Sequence, residues 1–265
     1  MSLINDNLKK IIPSNVDEYK IGFDDQLGQT GSEIFQWLES NGKIVPTHTF
    51  NGITYRWAFG DDMGFNSVLN NLPNDLSELF LNNVINYLGI KDFSLNEIKF
   101  EKIGPNKYLD DAHLKRTRFR DLVATEQDDL PSDYNNTIFY SSFWHTDKFF
   151  ELNNYKILVY LNDVEESQGG LVIADPIITP KWINNKACLV ENSIIAYPDD
   201  GVSVKSDEIT FKEVTGPKGT TASFNSHILH RANLPKDKRR FCMHLSFHLN
   251  ESQYMHEKYS NNHFR

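Results

Sequence analysis

Four residues carry the clearest chemistry in this chain: His145 and Asp147, two positions apart, then His230 far downstream and Arg240 beyond it. Two imidazoles and one carboxylate can cap one face of a six-coordinate metal and leave the opposite positions open, the ligand set that suits ferrous oxygenase chemistry. On an extended segment, positions i and i+2 share a face, so His145 and Asp147 can reach one ion from one strand end. The third ligand must come from elsewhere, and His227 and His230 compete for that place. The segment GTTASFNSHILH reads as a strand, a short turn and the start of the next strand. His230 is preferred because it follows Ile228-Leu229 directly into that next strand, whereas His227 sits in the turn. A guanidinium a few residues past the second His suits the far carboxylate of an organic diacid. The set points to an iron enzyme fed by 2-oxoglutarate and O2. His48, His113, His256 and His263 read as ordinary polar residues.

The strand that carries the guanidinium can be read by parity. In RRFCMHLSFH, Arg240, Cys242, His244, Ser246 and His248 fall on one face, and Phe241, Met243, Leu245 and Phe247 on the other. The second face is core, and the first is polar, as expected of a strand lining a wet cavity. Parity selects Arg240 over Arg239, which would place an unpaired charge on the apolar face. In the segment 155–161, Lys156, Leu158 and Tyr160 lie opposite Tyr155, Ile157, Val159 and Leu161. A Tyr160 hydroxyl beside the Arg would add a second donor to the diacid; the competing reading is an amphipathic core aromatic. Lys156 reads as a surface charge, with a substrate contact as the alternative.

These positions need a scaffold. A chain of 265 residues with 39% hydrophobic and 12% aromatic residues can bury one large β-rich domain. The net charge of -9 disfavours general binding to nucleic-acid backbones. The two cysteines, Cys188 and Cys242, make no disulfide framework, and no apolar run reaches membrane-spanning length. A soluble, cytoplasmic protein without nucleic-acid or membrane partners is expected. Residues 1–95 read as a helix and strand elaboration, 96–250 as the β core and 251–265 as a tail, all within one domain. Ser32 reads as an N-cap before the stripe Ile34, Phe35, Trp37 and Leu38, with Gly42 closing the helix. Asn51-Gly52 marks a two-residue hairpin. A second helix runs from about Asp75, with Glu78 completing a capping-box pattern. Its buried face is Leu76, Leu79, Phe80, Val84, Tyr87 and Leu88. Both helices are expected to brace the outside of a sheet. About eight short strands follow, over 97–103, 137–145, 155–161, 170–174, 193–197, 209–214, 219–224 and 240–247. The polar stretch 105–133 is either a loop over the site or a solvated connection. Within it Lys115, Arg116, Arg118 and Arg120 read as a solvated charged segment, with the holding of an anionic substrate as the alternative.

The motifs WHTD, YKILVYLNDVEESQGGLVIADP and FNSHILHRANLPKDKRRFCMHLSF span about residues 143–248. Together they resemble the Fe(II)/2-oxoglutarate-dependent dioxygenase superfamily, most closely its prolyl-hydroxylase-like and phytanoyl-CoA-hydroxylase-like branches. The resemblance implies a mainly β fold with flanking helices, a double-stranded β-helix or distorted jelly roll. It places Fe(II) on His145, Asp147 and His230, the 2-oxoglutarate salt bridge on Arg240, and a cosubstrate contact on Tyr160. It implies a Gly-containing turn at Gly169-Gly170. Ala174-Asp175-Pro176 departs from the phytanoyl-type pattern, so the substrate class stays open. Asp147 keeps the carboxylate that related halogenases lack, which favours hydroxylation, or another oxidation such as desaturation or ring closure, over halogenation. A small polar metabolite, amino-acid-like or carrier-bound, is the preferred substrate, with a peptidyl side chain as the alternative. A cupin-like metal or ligand-binding jelly roll without oxidase chemistry is the rival from another class. A zinc hydrolase would need a carboxylate base aimed at metal-bound water, and no HExxH occurs.

Overall fold

A computed structural model of the chain describes residues 19–50, 53–59, 65–88, 94–104, 145–147, 154–174, 187–190, 193–196, 211–225, 228, 230–233, 235 and 237–248. The first element is strand β1 (Tyr19–Phe23), followed by helix α1 (Asp25–Ser40). Asp24 caps the helix by accepting from the Leu27 amide at 2.7 Å, which uses one of the amides left without a partner in the first turn. The helix therefore starts about two turns before the cap expected at Ser32. Ser32 instead lies inside it, donating to the Gly28 carbonyl at 2.8 Å and lying 3.0 Å from that of Leu161. Gly42, at φ 66, ends it as expected.

Strands β2 (Ile44–Phe50) and β3 (Ile53–Phe59) pair antiparallel with Phe50 opposite Ile53, the pairing a hairpin here requires, and the expected turn residues Asn51-Gly52 themselves lie outside the described residues. Helices α2 (Phe65–Asn70) and α3 (Asn74–Leu88) follow. On α3, Phe80, Val84 and Leu88 are buried, whereas Leu79, expected in the buried face, is exposed. Asp75 lies in the first turn, one place inside the helix start.

The remaining strands are β4 (Ser94–Ile103), β5 (His145–Asp147), β6 (Asn154–Tyr160), β7 (Leu171–Ala174), β8 (Ala187–Val190), β9 (Ser193–Ala196), β10 (Phe211–Val214), β11 (Thr220–Asn225), β12 (His230–Ala232) and β13 (Arg240–His248). The sequence reading did not resolve β1 or β8. The stretches 105–133 and 115–120 lie outside the described residues, as does 137–144 from the second expected strand.

All pairings are antiparallel, in two sheets. One runs β1-β11-β6-β13-β4-β3-β2 and the other β10-β7-β12-β5-β9-β8. Within them, β4-β13-β6-β11 and β5-β12-β7-β10 form two four-stranded halves, and the chain crosses repeatedly from one to the other. That interleaving is the jelly-roll winding of a double-stranded β-helix.

The seven-stranded sheet has two buried faces. Its outer face carries Ile98, Phe100, Ile157, Val159, Met243 and Leu245, which pack under Leu27, Ile34, Leu38, Phe80, Val84 and Leu88 of the helices. The Asn83 amide donates to Thr30 and links α3 to α1. The inner face carries Leu158, Tyr160, Ala222, Phe224 and Cys242, which meet Leu171, Ile173 and Val214 of the opposing sheet. The alternation along β6 and β13 thus divides the side chains between two cores, as the period-2 reading requires.

Candidate metal centre and cosubstrate pocket

Strand β12 begins at His230 and pairs with β5 so that His230 stands directly opposite His145. Directly opposed residues of an antiparallel pair occupy the same sheet face, with Cβ atoms about 4.5–5.5 Å apart. Asp147, two positions along β5, belongs to that face by alternation. The same register places Ile173 on the other side of His230. Ile173 belongs to the inter-sheet core, so the shared face looks into the barrel. His230 thus faces the interior, and the register sets His145 directly opposite it on the neighbouring strand. His227 lies outside the described residues, as do the side chains of His145 and Asp147.

His230 is buried, with its ring 4.9 Å from that of Phe224 across the barrel. Its Nδ1 lies 2.8 Å from the Ile228 carbonyl oxygen. A carbonyl can only accept, so Nδ1 carries the proton. In the neutral ring the lone pair is then on Nε2, the tautomer a metal ligand needs.

The inner face of the seven-stranded sheet is a grid set by strand register. Arg240 and Ile103 share one row; Cys242, Glu101 and Tyr160 the next; His244, Lys99, Leu158 and Ala222 the third; Ser246, Lys156 and Phe224 the fourth. Phe224 is the residue that meets His230, so His230 faces the fourth row, and Arg240 lies three rows away along the same wall. Lys156, read from sequence as a surface charge, is half-buried on this wall.

Arg240 is only 2% exposed. Its Nη1 donates to the Gly169 carbonyl, and its buried Nε has no hydrogen-bond partner among the described residues. An unmet guanidinium donor in the interior is costly and marks a place where an anion fits. Arg239 is exposed, with its guanidinium 5.4 Å from the centre of the Trp57 ring, so parity separates the two arginines as expected.

Tyr160 lies on the expected face, but its hydroxyl is engaged on both sides. It donates to the Val214 carbonyl at 2.7 Å and accepts from the Leu171 amide at 2.9 Å. Its one proton is committed, and the residue ties β6 to β7 and β10. Contact with a diacid as a donor would require breaking the Val214 bond. Burial pushes its pKa up to about 12, against the opposing pull of the Arg240 charge.

Two parts of this wall have roles that the sequence reading did not assign. Gly169, at φ 71, supplies the carbonyl that steers Arg240, and Gly170 cannot carry a side chain because a Cβ would lie 2.4 Å from the Val214 carbonyl oxygen. A polar cluster also joins β4 to β13: Lys99 pairs with Glu101, His244 Nε2 lies 3.5 Å from Glu101 Oε2, and Cys242 Sγ lies 3.4 Å from His244 Nε2. The alternation Lys99, Glu101 against Ile98, Phe100 was the available signal for it.

No protein-family model and no curated protein matches the chain. Among solved structures, the chain is similar to non-heme iron and alpha ketoglutarate enzymes. The epimerase SnoN, solved with Fe3+, alpha ketoglutarate and nogalamycin RO, is 13% identical over 88% of this chain and 79% of its own, with a TM-score of 0.49. The carbocyclase SnoK of nogalamycin biosynthesis is 12% identical over 87% and 79%, with a TM-score of 0.48. EctD from S. alaskensis with bound Fe is 10% identical over 88% and 73%, with a TM-score of 0.47. The fold assignment itself rests on the strand order of this chain.

Proposed function

We propose that this protein is an Fe(II)- and 2-oxoglutarate-dependent oxygenase that oxidises an unactivated C–H bond, by hydroxylation, in a small polar metabolite. The observation that supports the reading is the register pair His145–His230, which sets the strand of the His-x-Asp motif beside the strand of the distal histidine. His145, Asp147 and His230 would hold the ferrous ion, and Arg240 the distal carboxylate of 2-oxoglutarate. When bound, these groups supply O2 activation coupled to conversion of 2-oxoglutarate into succinate and CO2.

The chain's own contribution is orientation and exclusion of water. The Ile228 carbonyl fixes the His230 ring with Nε2 as its acceptor nitrogen. The Gly169 carbonyl holds one end of the Arg240 guanidinium, which aims the planar group and leaves Nε with a donor to satisfy. Leu158, Ile173, Ala222 and Phe224 supply apolar walls that keep bulk water from the interior.

An anaerobic titration with Fe(II) and 2-oxoglutarate tests this. A visible metal-to-ligand charge-transfer band is expected in the wild type. It should vanish in His145→Ala, Asp147→Ala and His230→Ala proteins that remain folded. Metal binding with no such band would favour a cupin-like binding protein instead. Succinate release across a metabolite panel would then identify the substrate.

A further inference from the structure

The second and third rows of the inner wall bring together a carboxylate, a thiol and an imidazole. Glu101 stands opposite Cys242 across β4 and β13, and His244 is two places along β13. One ligand atom from each lies within 4.8 Å of the others. Glu101 and Cys242 are buried, while His244 and Lys99 are 23% and 24% exposed, so the cluster has a route for a small ion.

The separations can be compared with those of a metal site. Zinc bonds of about 2.3 Å to sulfur and about 2.0–2.2 Å to nitrogen and oxygen give tetrahedral edges of about 3.6 Å for S to N and about 3.4 Å for N to O. The observed values are 3.4 Å for Cys242 Sγ to His244 Nε2 and 3.5 Å for His244 Nε2 to Glu101 Oε2. Glu101 meets Lys99 through its other oxygen, Oε1. The ammonium therefore leaves the geometry toward His244 intact.

We infer that Glu101, Cys242 and His244 form a second metal site, for a zinc-class ion, distinct from the centre on His145, Asp147 and His230. The mixed thiolate, imidazole and carboxylate set selects a borderline-soft cation over magnesium or calcium, which take oxygen ligands. Binding converts the Cys242 thiol into a metal-bound thiolate and releases its proton to solvent; no electron moves. Three protein ligands leave the fourth tetrahedral position open. His230 meets Phe224 on β11, two strands across from β13, a span of about 10 Å at ordinary strand spacing.

Cobalt(II) is the probe, because a thiolate ligand gives a near-ultraviolet thiolate-to-cobalt charge-transfer band. The proposed iron centre has no thiolate, so the two readings fail independently. Chelator-treated full-length protein is titrated with Co(II) without oxygen, followed by competition with Zn(II). The band should appear in the wild type, in His145→Ala and in Cys188→Ser, and Zn(II) should remove it. Cys242→Ser should abolish it. The half-buried variant His244→Gln, chosen to keep the fold, should weaken Co(II) binding by more than the roughly 10–100-fold of a lost outer partner. Melting curves confirm that both variants fold. No band in the wild type, or a band that survives in Cys242→Ser, would mean that the cluster is a hydrogen-bonded relay only and would overturn the inference. Undiminished Co(II) affinity in folded His244→Gln would do the same.

Discussion

Replacing Arg240 with Met separates what the guanidinium does for the fold from what it does for a diacid. In the free protein two effects oppose each other. The variant loses the bond from Nη1 to the Gly169 carbonyl, and it removes a buried Nε donor that has no partner among the described residues. Each is worth about 1–3 kcal/mol, with opposite signs. Stability without ligand should therefore stay within about 2 kcal/mol of wild type. Binding should behave differently. A carboxylate on this guanidinium makes charge-assisted hydrogen bonds, and losing them costs about 3 kcal/mol, or roughly a hundredfold in Kd. With 2-oxoglutarate at 100 times the wild-type Kd, ligand stabilises the wild type by about 2.7 kcal/mol. At the same concentration the variant would gain only about 0.4 kcal/mol. For a domain of this size, these gains correspond to melting shifts of roughly 5–10 °C and about 1 °C. Thermal melts with a redox-inert divalent metal, with and without 2-oxoglutarate, read both numbers. A variant with an undiminished ligand shift, or one that loses more than about 4 kcal/mol before ligand is added, would refute the assignment of Arg240 as an anion anchor.

Tyr160→Phe should lower stability by about 2–4 kcal/mol, since it strands the Val214 carbonyl and the Leu171 amide in the interior, and should change the 2-oxoglutarate Kd little. A raised Kd at unchanged stability would show the hydroxyl to be a cosubstrate donor instead. Tyr160 and Tyr87 have pKa values raised to about 12, chiefly by burial, against about 10 in the unfolded chain. The folded state holds these protons more tightly. Their stabilising contribution is therefore complete below pH 10 and is lost as pH rises from 10 to 12. For Tyr160 the loss amounts to about 3 kcal/mol. Urea midpoints across that window, with phenolate absorbance, check it; a flat stability profile would contradict it. Gly28→Ala should destabilise by about 1–3 kcal/mol despite the helix-favouring residue, because the new Cβ would lie 2.6 Å from the Gly219 Cα. Equal or raised stability by chemical denaturation would show that the two backbones can move apart.

What could be read from the sequence was whatever depends on local period. Parity on β13 separated Arg240 and Cys242 from Met243 and Leu245, and the structure divides them between two cores in that way. The antiparallel pairing of β2 with β3 was legible because an Asn-Gly pair between two apolar runs favours a two-residue hairpin turn. The start of α1 was missed because Gly28 and Gly31 interrupt its apolar stripe. Both answer to distant contacts, Gly28 to Gly219 and Gly31 to Leu161. Ser32 looked like a cap because Ser favours caps, but its hydroxyl also reaches the Leu161 carbonyl. Leu79 lies at the border of its helix stripe, where spacing alone does not decide which side meets the sheet. The cluster of Glu101 with Cys242 and His244 depends on a strand pairing across about 140 residues, which no local pattern encodes. The committed proton of Tyr160 likewise depends on two strands that follow it in the chain.

Strand β13 lies between β4 and β6, yet it is the last of the described strands to be synthesised. On the ribosome, β4 and β6 must wait with their hydrogen-bonding edges open until residues 240–248 emerge. The same nine residues that seal this seam also deliver Arg240 to the interior. A nascent chain therefore never holds a finished barrel without Arg240 inside it, and a chain stopped at Arg239 would expose two complementary edges to its neighbours.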